Sequence, residues 1–419
     1  MAEIKPIRPL RYTKKINDIK SVVCPPYDII SDPEREALIG NSEYNIVRLE
    51  KPEGGENRYA DAAKTLDEWI GKGILARDDK EGIFVYRERF TVKGKEYFFS
   101  GMICLVKLCE FSERIILPHE ETLSKAKTDR FNLLKNTHCN FSSVYSLYLD
   151  EEKKIEKVLC KAQESAPEHE FTDGDGVTHS LWKIDDRDEI DFIVNEMRSK
   201  QLFIADGHHR YETSLNFRKY LKEHPEEDNG CDSEHILMTL VNMDNEGLVV
   251  FPTHRLIKDL PVDKEALKKK CSADFEIKEL IGIENIEKTL EENRGVHAFA
   301  LYTGGDTFTL FLRKDGADVE GRSKAYCDLD VTVLHTLILE KALGIDKENM
   351  ANQINLRYTR SFEEAVKSVK DGESSAAFIL NPTKVREIKS VALASDKMPQ
   401  KSTYFYPKLI TGLVINQLD

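Results

Sequence analysis

The residues Asp206-Gly207-His208-His209-Arg210-Tyr211-Glu212-Thr213 carry the densest potential chemistry in the chain. The apolar run Leu202-Phe203-Ile204-Ala205 leads into them and an amphipathic stretch follows, a pattern that predicts a strand, a tight turn and a helix start. Such a junction presents backbone N–H groups and the positive end of a helix dipole to an anion. Two imidazoles and a guanidinium add side-chain donors and one fixed charge, so the stretch reads as a phosphate or carboxylate seat. Arg210 stays charged at any working pH, while His208 and His209 donate to oxygens or pass protons near neutrality. Asp206 has three readings: it orients a histidine, binds Mg2+ or caps the helix. Capping is the default for an aspartate in that position.

Pro118-His119-Glu120-Glu121-Thr122, with Lys125, Lys127, Asp129 and Arg130 close behind, is a second candidate. A carboxylate at a strand end beside basic residues suits a general base toward a hydroxyl, provided it reaches the proton; the plain alternative is a solvated loop of mutually paired charges. Position 123 is Leu, so no H-E-x-x-H metal motif is present. A third candidate is the run from Met398 to Lys408, where lysines suit phosphates and aromatics suit a base, with a terminal edge strand as the alternative. Phe251-Pro252-Thr253-His254-Arg255 is a fourth, a strand end offering a His-Arg pair to an anion. No P-loop, dinucleotide G-x-G-x-x-G, kinase H-R-D or G-x-S-x-G elbow occurs, so any nucleotide is handled outside the common phosphate-binding motifs.

Around these candidates, 419 residues suffice for two or three domains with a sizeable core. The net charge of -13 argues against non-specific nucleic-acid binding, which needs a basic surface to release counterions. Eight scattered cysteines form no C-x-x-C pair; they predict reduced thiols and no structural metal, and no residue is assigned as a metal ligand. The N-terminal residues lack the apolar core of a signal peptide and no run is long enough to span a bilayer, so a cytoplasmic protein without membrane partners is expected.

The elements that must position the candidates follow from periodicity. Tyr59, Ala62, Ala63, Leu66, Trp69 and Ile70 form one helical stripe, and Asp32-Pro33 opens a shorter helix. Residues 83–92 and 96–108 flank Lys93-Gly94 as a hairpin. Residues 114–122 read as a strand with a polar end, 142–149 as another, and 150–200 as a charged, mostly helical passage. From about Pro261 the pattern becomes a separate α+β unit. The boundaries expected are 1–110 for an N-terminal α+β region, 111–258 for a core holding the Asp206–Arg210 turn, and 259–419 for a C-terminal α+β domain.

Five ordered motifs carry a resemblance: Val23-Cys24-Pro25-Pro26-Tyr27-Asp28; Tyr44 to Leu49; Leu117-Pro118-His119-Glu120 with Thr122 and Lys125 to Arg130; Ala205 to Thr213; and Pro399 to Leu413. Together they resemble the domain of unknown function 1015 family from near residue 5 to the C-terminus. That family is similar to the ParB/sulfiredoxin superfamily, which includes free L-serine kinases. The resemblance implies an α+β fold with a ParB/sulfiredoxin-like mixed sheet core. It also implies transfer of the γ-phosphate of ATP, with Mg2+, to the hydroxyl of free L-serine, giving O-phospho-L-serine. ADP as donor stays open. On that view Glu120, Asp206 and His208 are catalytic, with Glu120 as base. Gly207, His209, Arg210, Thr213, Lys127, Arg130, Lys401 and Ser402 bind the nucleotide. The alternatives are a kinase or nucleotidase for another small hydroxylated metabolite, and a nucleotide-dependent DNA-associated protein. The acidic charge and the lack of a helix-turn-helix weigh against the last. A homodimer is the candidate assembly.

Overall fold

The structure, a computed structural model, describes residues 1–120, 122, 124–228, 230–315, 319 and 322–418, with the side chains of Ser124 and Lys125 left out. Glu121 and the Lys125 side chain, both in the second candidate stretch, lie outside that description. The chain is a mixed α+β protein that divides into two compact units. The first comprises Met1–Pro118, Thr122–Val249 and Pro407–Asp419; the second comprises His119–Glu121 and Val250–Tyr406.

The first unit is built on a nine-stranded mixed sheet. Its strands are β1 (Ile4–Lys5), β2 (Ile83–Val92), β3 (Lys95–Lys107), β4 (Ile116–Leu117), β5 (Val144–Tyr148), β6 (His169–Thr172), β7 (Thr178–Ile184), β8 (Leu202–Asp206) and β9 (His235–Asn242). Across the sheet they run β4, β8, β5, β9, β3, β2, β7, β6, with β1 added alongside β3. The β2–β3 hairpin turns where Lys93 (φ 49°) and Gly94 (φ 79°) both take positive φ, the geometry that matches the twist of the flanking strands. β5 is parallel to β9 and antiparallel to β8, while β4 pairs only with Leu202 and Phe203, so the last residues of β8 are held by β5 on one side and lie beyond the short edge strand on the other.

Two expectations are corrected. The strand expected over residues 114–122 is only Ile116–Leu117, because the polar residues after Pro118 make no ladder in this sheet. The passage 150–200 holds the helices Lys154–Ala162 and Arg187–Met197, but β6 and β7 stand between them. Thr, Phe and Trp suit a pleated surface, and β7 pairs with β2 along its whole length.

The second unit has a six-stranded sheet containing His254–Ile257, Phe275–Ile281, Ala298–Tyr302, Thr307–Arg313, Leu356–Thr359 and Ala376–Leu380. The hairpin expected around Gly304-Gly305-Asp306 joins the third and fourth of these. The helix expected from Asp330 is α-helical only to Val333; Leu334–Glu340 continues it as a π-helix.

Candidate functional site

The turn after β8 forms as its residues dictate. The β8–β5 register slips between Ile204 and Asp206, a bulge that re-aims the strand end. Gly207 then takes φ +89° and starts the helix α3 (His208–Glu223), after α1 (Val47–Glu50) and α2 (Ser124–Thr137) earlier in the chain. Only glycine serves there. A Cβ on Gly207 would lie 2.9 to 3.0 Å from the guanidinium atoms of Arg210, which folds back over the turn. Asp206 does not cap the helix: Gly207 is the cap residue, without a side-chain hydrogen bond. The aspartate instead accepts from Arg210 Nη2 (2.9 Å) and from Lys408 Nζ (2.6 Å), bringing together residues 202 apart in sequence. Burial alone would raise its pKa; Lys408 and then Arg210 outweigh that and hold the carboxyl well below its ordinary range.

Arg210 also donates from Nη1 to the Ser143 carbonyl (2.6 Å), while its buried Nε–H has no partner among the described residues. The buried Thr213 hydroxyl is likewise unpartnered among them. Both residues line a cavity of about 40 Å3 that Glu50, Arg130 and Ser142 also border. That volume holds a few waters or one oxygen-rich group, and any larger body has to extend outside it.

Glu50, at the end of α1, is the group the sequence reading missed. It is 2% exposed, accepts from the Ser142 hydroxyl (2.8 Å) and lies 3.7 Å from Arg130 Nη1. Burial raises its pKa more than Arg130 and Ser142 lower it, so the carboxyl holds its proton to higher pH than an exposed glutamate. Arg130 is fixed by three residues. It donates to the Glu50 carbonyl (2.7 Å) and twice to Asp129 (2.9 and 2.6 Å), and its guanidinium stacks 4.0 Å from the Tyr27 ring centroid. Tyr27 is pushed up to about 12, first by burial and against the pull of Arg130; Asp28 raises both Tyr27 and Glu50. The Pro-Pro-Tyr-Asp bend, α1, α2 and the Asp206 turn therefore converge. A signal for Glu50 was available: a carboxylate next to Ile46, Val47 and Leu49, whose apolar character favours burial of that short segment.

The other predicted residues fall as follows. His208 is buried at the first turn of α3 and His209 follows it, half-buried. Lys127, on α2, pairs with Glu212 of α3 (2.9 Å), which also accepts from the Thr122 hydroxyl (2.7 Å). Glu120, Lys401 and Ser402 belong to the second unit. There Glu120 bridges in parallel to Met398 and its carboxylate accepts from the Lys401 backbone N–H (3.5 Å), while the Ser402 hydroxyl donates to the Pro399 carbonyl. Of the predicted set, the first unit thus gathers Asp206, Gly207, Arg210, Thr213 and Arg130, and the second gathers Glu120, Lys401 and Ser402. The donor set does not build a Mg2+ site. Both Asp206 oxygens are engaged by cations, and among the described residues no three His, Cys, Asp or Glu side chains are grouped to hold a metal.

A mixed α+β chain with a bulged strand, a glycine turn and a charge-dense helix start is the class that fold and site define. The family model described as "Protein of unknown function (DUF1015)" matches residues 4–332, and the chain belongs to that family. No curated protein matches it. Among solved structures it is similar to a free serine kinase in complex with AMP, at 15% identity over 74% of this chain and 90% of that one, with a TM-score of 0.36. It is also similar to a conserved hypothetical protein from Pyrococcus furiosus (16%, 73% and 94%, TM-score 0.34). A third is SbnI with a C-terminal truncation from Staphylococcus aureus (11%, 75% and 87%, TM-score 0.36). No described helix is long and apolar enough to cross a membrane.

Proposed function

We propose that the chain transfers the γ-phosphoryl group of ATP to the hydroxyl of a small acceptor, free L-serine first, on the ParB/sulfiredoxin-like core that the motif resemblance implies. The bond from the γ-phosphorus to the bridging oxygen breaks, the acceptor oxygen bonds to phosphorus, ADP leaves, and a base takes the acceptor proton. One observation carries the reading: a buried carboxyl with a raised pKa, Glu50, borders the same small cavity as the Arg210 Nε–H and Thr213 hydroxyl, which have no partner among the described residues. Phosphoryl transfer asks mainly for positioned donors and a base, and this arrangement offers both.

Two glutamates compete as base. Glu120 is the one the motif order suggests, whereas Glu50 has the burial and raised pKa that bring a carboxylate toward working pH. Arg210, locked by Asp206 and Ser143, has a buried Nε–H that would donate to a phosphoryl oxygen once the cavity opens to admit it. Mg2+ enters with the nucleotide rather than on a protein-built site. The same site serves another small hydroxylated acceptor equally well.

The test is purified protein with ATP, Mg2+ and each of the twenty amino acids in turn, following ADP release and phosphorylated product by mass spectrometry. Serine-dependent turnover is expected, reduced roughly 100- to 10,000-fold in Glu50→Gln with nucleotide affinity retained. The acid limb of kcat/KM should lie above the ordinary glutamate pKa of 4.5, because Glu50 must lose its proton to act. If Glu120→Gln shows that loss and Glu50→Gln does not, the base is Glu120. No amino-acid-dependent ADP release at all would end the serine kinase reading.

A further inference from the structure

A buried guanidinium without a carboxylate partner among the described residues lies in the second unit. Arg255, on the strand His254–Ile257, is 1% exposed, and among the described residues no carboxylate comes within ion-pair distance. Its guanidinium donates to the carbonyls of Thr253 and Lys401 and, through Nε, to His335 Nε2 (3.2 Å). A buried cation satisfied only by neutral acceptors leaves a positive potential that nothing nearby cancels. Because arginine only donates, His335 Nε2 must be unprotonated and its proton must sit on Nδ1. Burial and then the Arg255 charge keep the ring neutral well below pH 6.5, so this tautomer persists.

His335 lines a cavity of about 320 Å3 formed entirely within the second unit. Arg322, Lys347 and Lys397 line it with a single carboxylate, Glu340. Among the described residues, none of those three cations is in an ion pair, in a chain whose net charge is -13. The wall is also unusual in its backbone. His335, Thr336 and Glu340 come from the π-helical segment Leu334–Glu340, and i→i+5 winding puts positions 335 and 340 on one face. π-helical turns are rare and recur at functional sites. Tyr326, Tyr358, Met350 and Met398 supply the larger side chains of the apolar part of the lining.

We propose that this cavity binds a small organic anion, a carboxylate or phosphate carried on an apolar or aromatic body. His335 Nδ1–H is the deep donor, Arg322, Lys347 and Lys397 hold the charge, and the tyrosines and methionines take the body. Arg255 acts as a positioning residue through His335. The volume sits at the lower end of small-molecule pockets, which fits a single metabolite and not a polymer. All of its lining residues belong to the second unit.

The test is calorimetric titration of the full chain with phenyl phosphate, benzoate and benzyl alcohol. At least one of the two anions should bind saturably, more weakly as salt rises, and the neutral alcohol should not; which anion binds tells phosphate from carboxylate recognition. Lys347→Glu combined with Lys397→Glu should lower that affinity tenfold or more at an unchanged melting temperature. If the reversal unfolds the chain, Lys347→Ala alone supplies the reading, with a loss of about threefold. No binding of either anion at millimolar concentration, equal binding of the alcohol, or affinity indifferent to these lysine substitutions would overturn the proposal.

Discussion

Two arginines, Arg130 in the first unit and Arg255 in the second, are buried to a similar depth and treated in opposite ways. Arg130 has Asp129 and Glu50 beside it and a tyrosine face beneath, so its charge is neutralised where it stands. Arg255 has two carbonyls, an imidazole and the Tyr358 ring 5.5 Å away, and no carboxylate among the described residues. Burial depresses its pKa to about 10, whereas the carboxylates raise that of Arg130 against the same burial. Depth alone therefore does not decide what a buried guanidinium is for. A paired one organises its neighbours, and an unpaired one projects a field.

The largest test of that contrast is Arg130→Met, which strands the buried Glu50 and half-buried Asp129 carboxylates and should cost about 3 to 5 kcal/mol by urea unfolding. A loss under 1 kcal/mol would show that the pairing contributes little. Next in size is a pH effect in the same unit. His179, 1% exposed, is raised to about 9: burial favours the neutral ring, but Asp173 and Glu88 outweigh it. Below pH 6.5 folded and unfolded chains both hold the proton and the stabilisation is complete. Between 6.5 and about 9 the unfolded state releases it first, and about 3 kcal/mol should be lost over that window, a loss absent in His179→Gln. Gly207→Ala should cost about 2 kcal/mol, more than Gly305→Ala, since both have positive φ but only Gly207 faces Arg210 at contact distance. Equal costs would mean that the guanidinium moves aside freely. The smallest effect should come from Arg255→Met, within about 1 kcal/mol of wild type, because removing an uncompensated charge offsets the hydrogen bonds lost. A cost matching that of Arg130→Met would erase the distinction between the two sites.

What could be read in the sequence was whatever short-range chemistry enforces. The Lys93-Gly94 hairpin and the strand, glycine and helix around Gly207 are local demands of backbone geometry, and both stand as expected. Strands β6 and β7 escaped because β6 alternates half-buried with exposed positions and carries His and Glu, so its pattern resembles the charged helices beside it. The candidate site was half legible for a related reason. Asp206 and Arg210 are four residues apart on a strand-to-helix junction, but the Lys408 that completes the cluster and the Ser142 and Arg130 that make Glu50 unusual arrive through the tertiary fold. A carboxylate's pKa depends on its neighbours, and neighbours distant along the chain leave no periodicity to read.

The first unit is interrupted, with residues 407–419 returning to it after the whole of the second. Lys408 reaches Asp206 on that return, Thr411 bridges Cys24, and Asn416 and Gln417 pair with Asn140 and Cys139. During synthesis, then, more than four hundred residues must be made before the turn acquires its second cation. Without residues 407–419 Asp206 would keep Arg210 but lose Lys408, so the charge balance of the turn depends on a segment that follows the second unit along the chain.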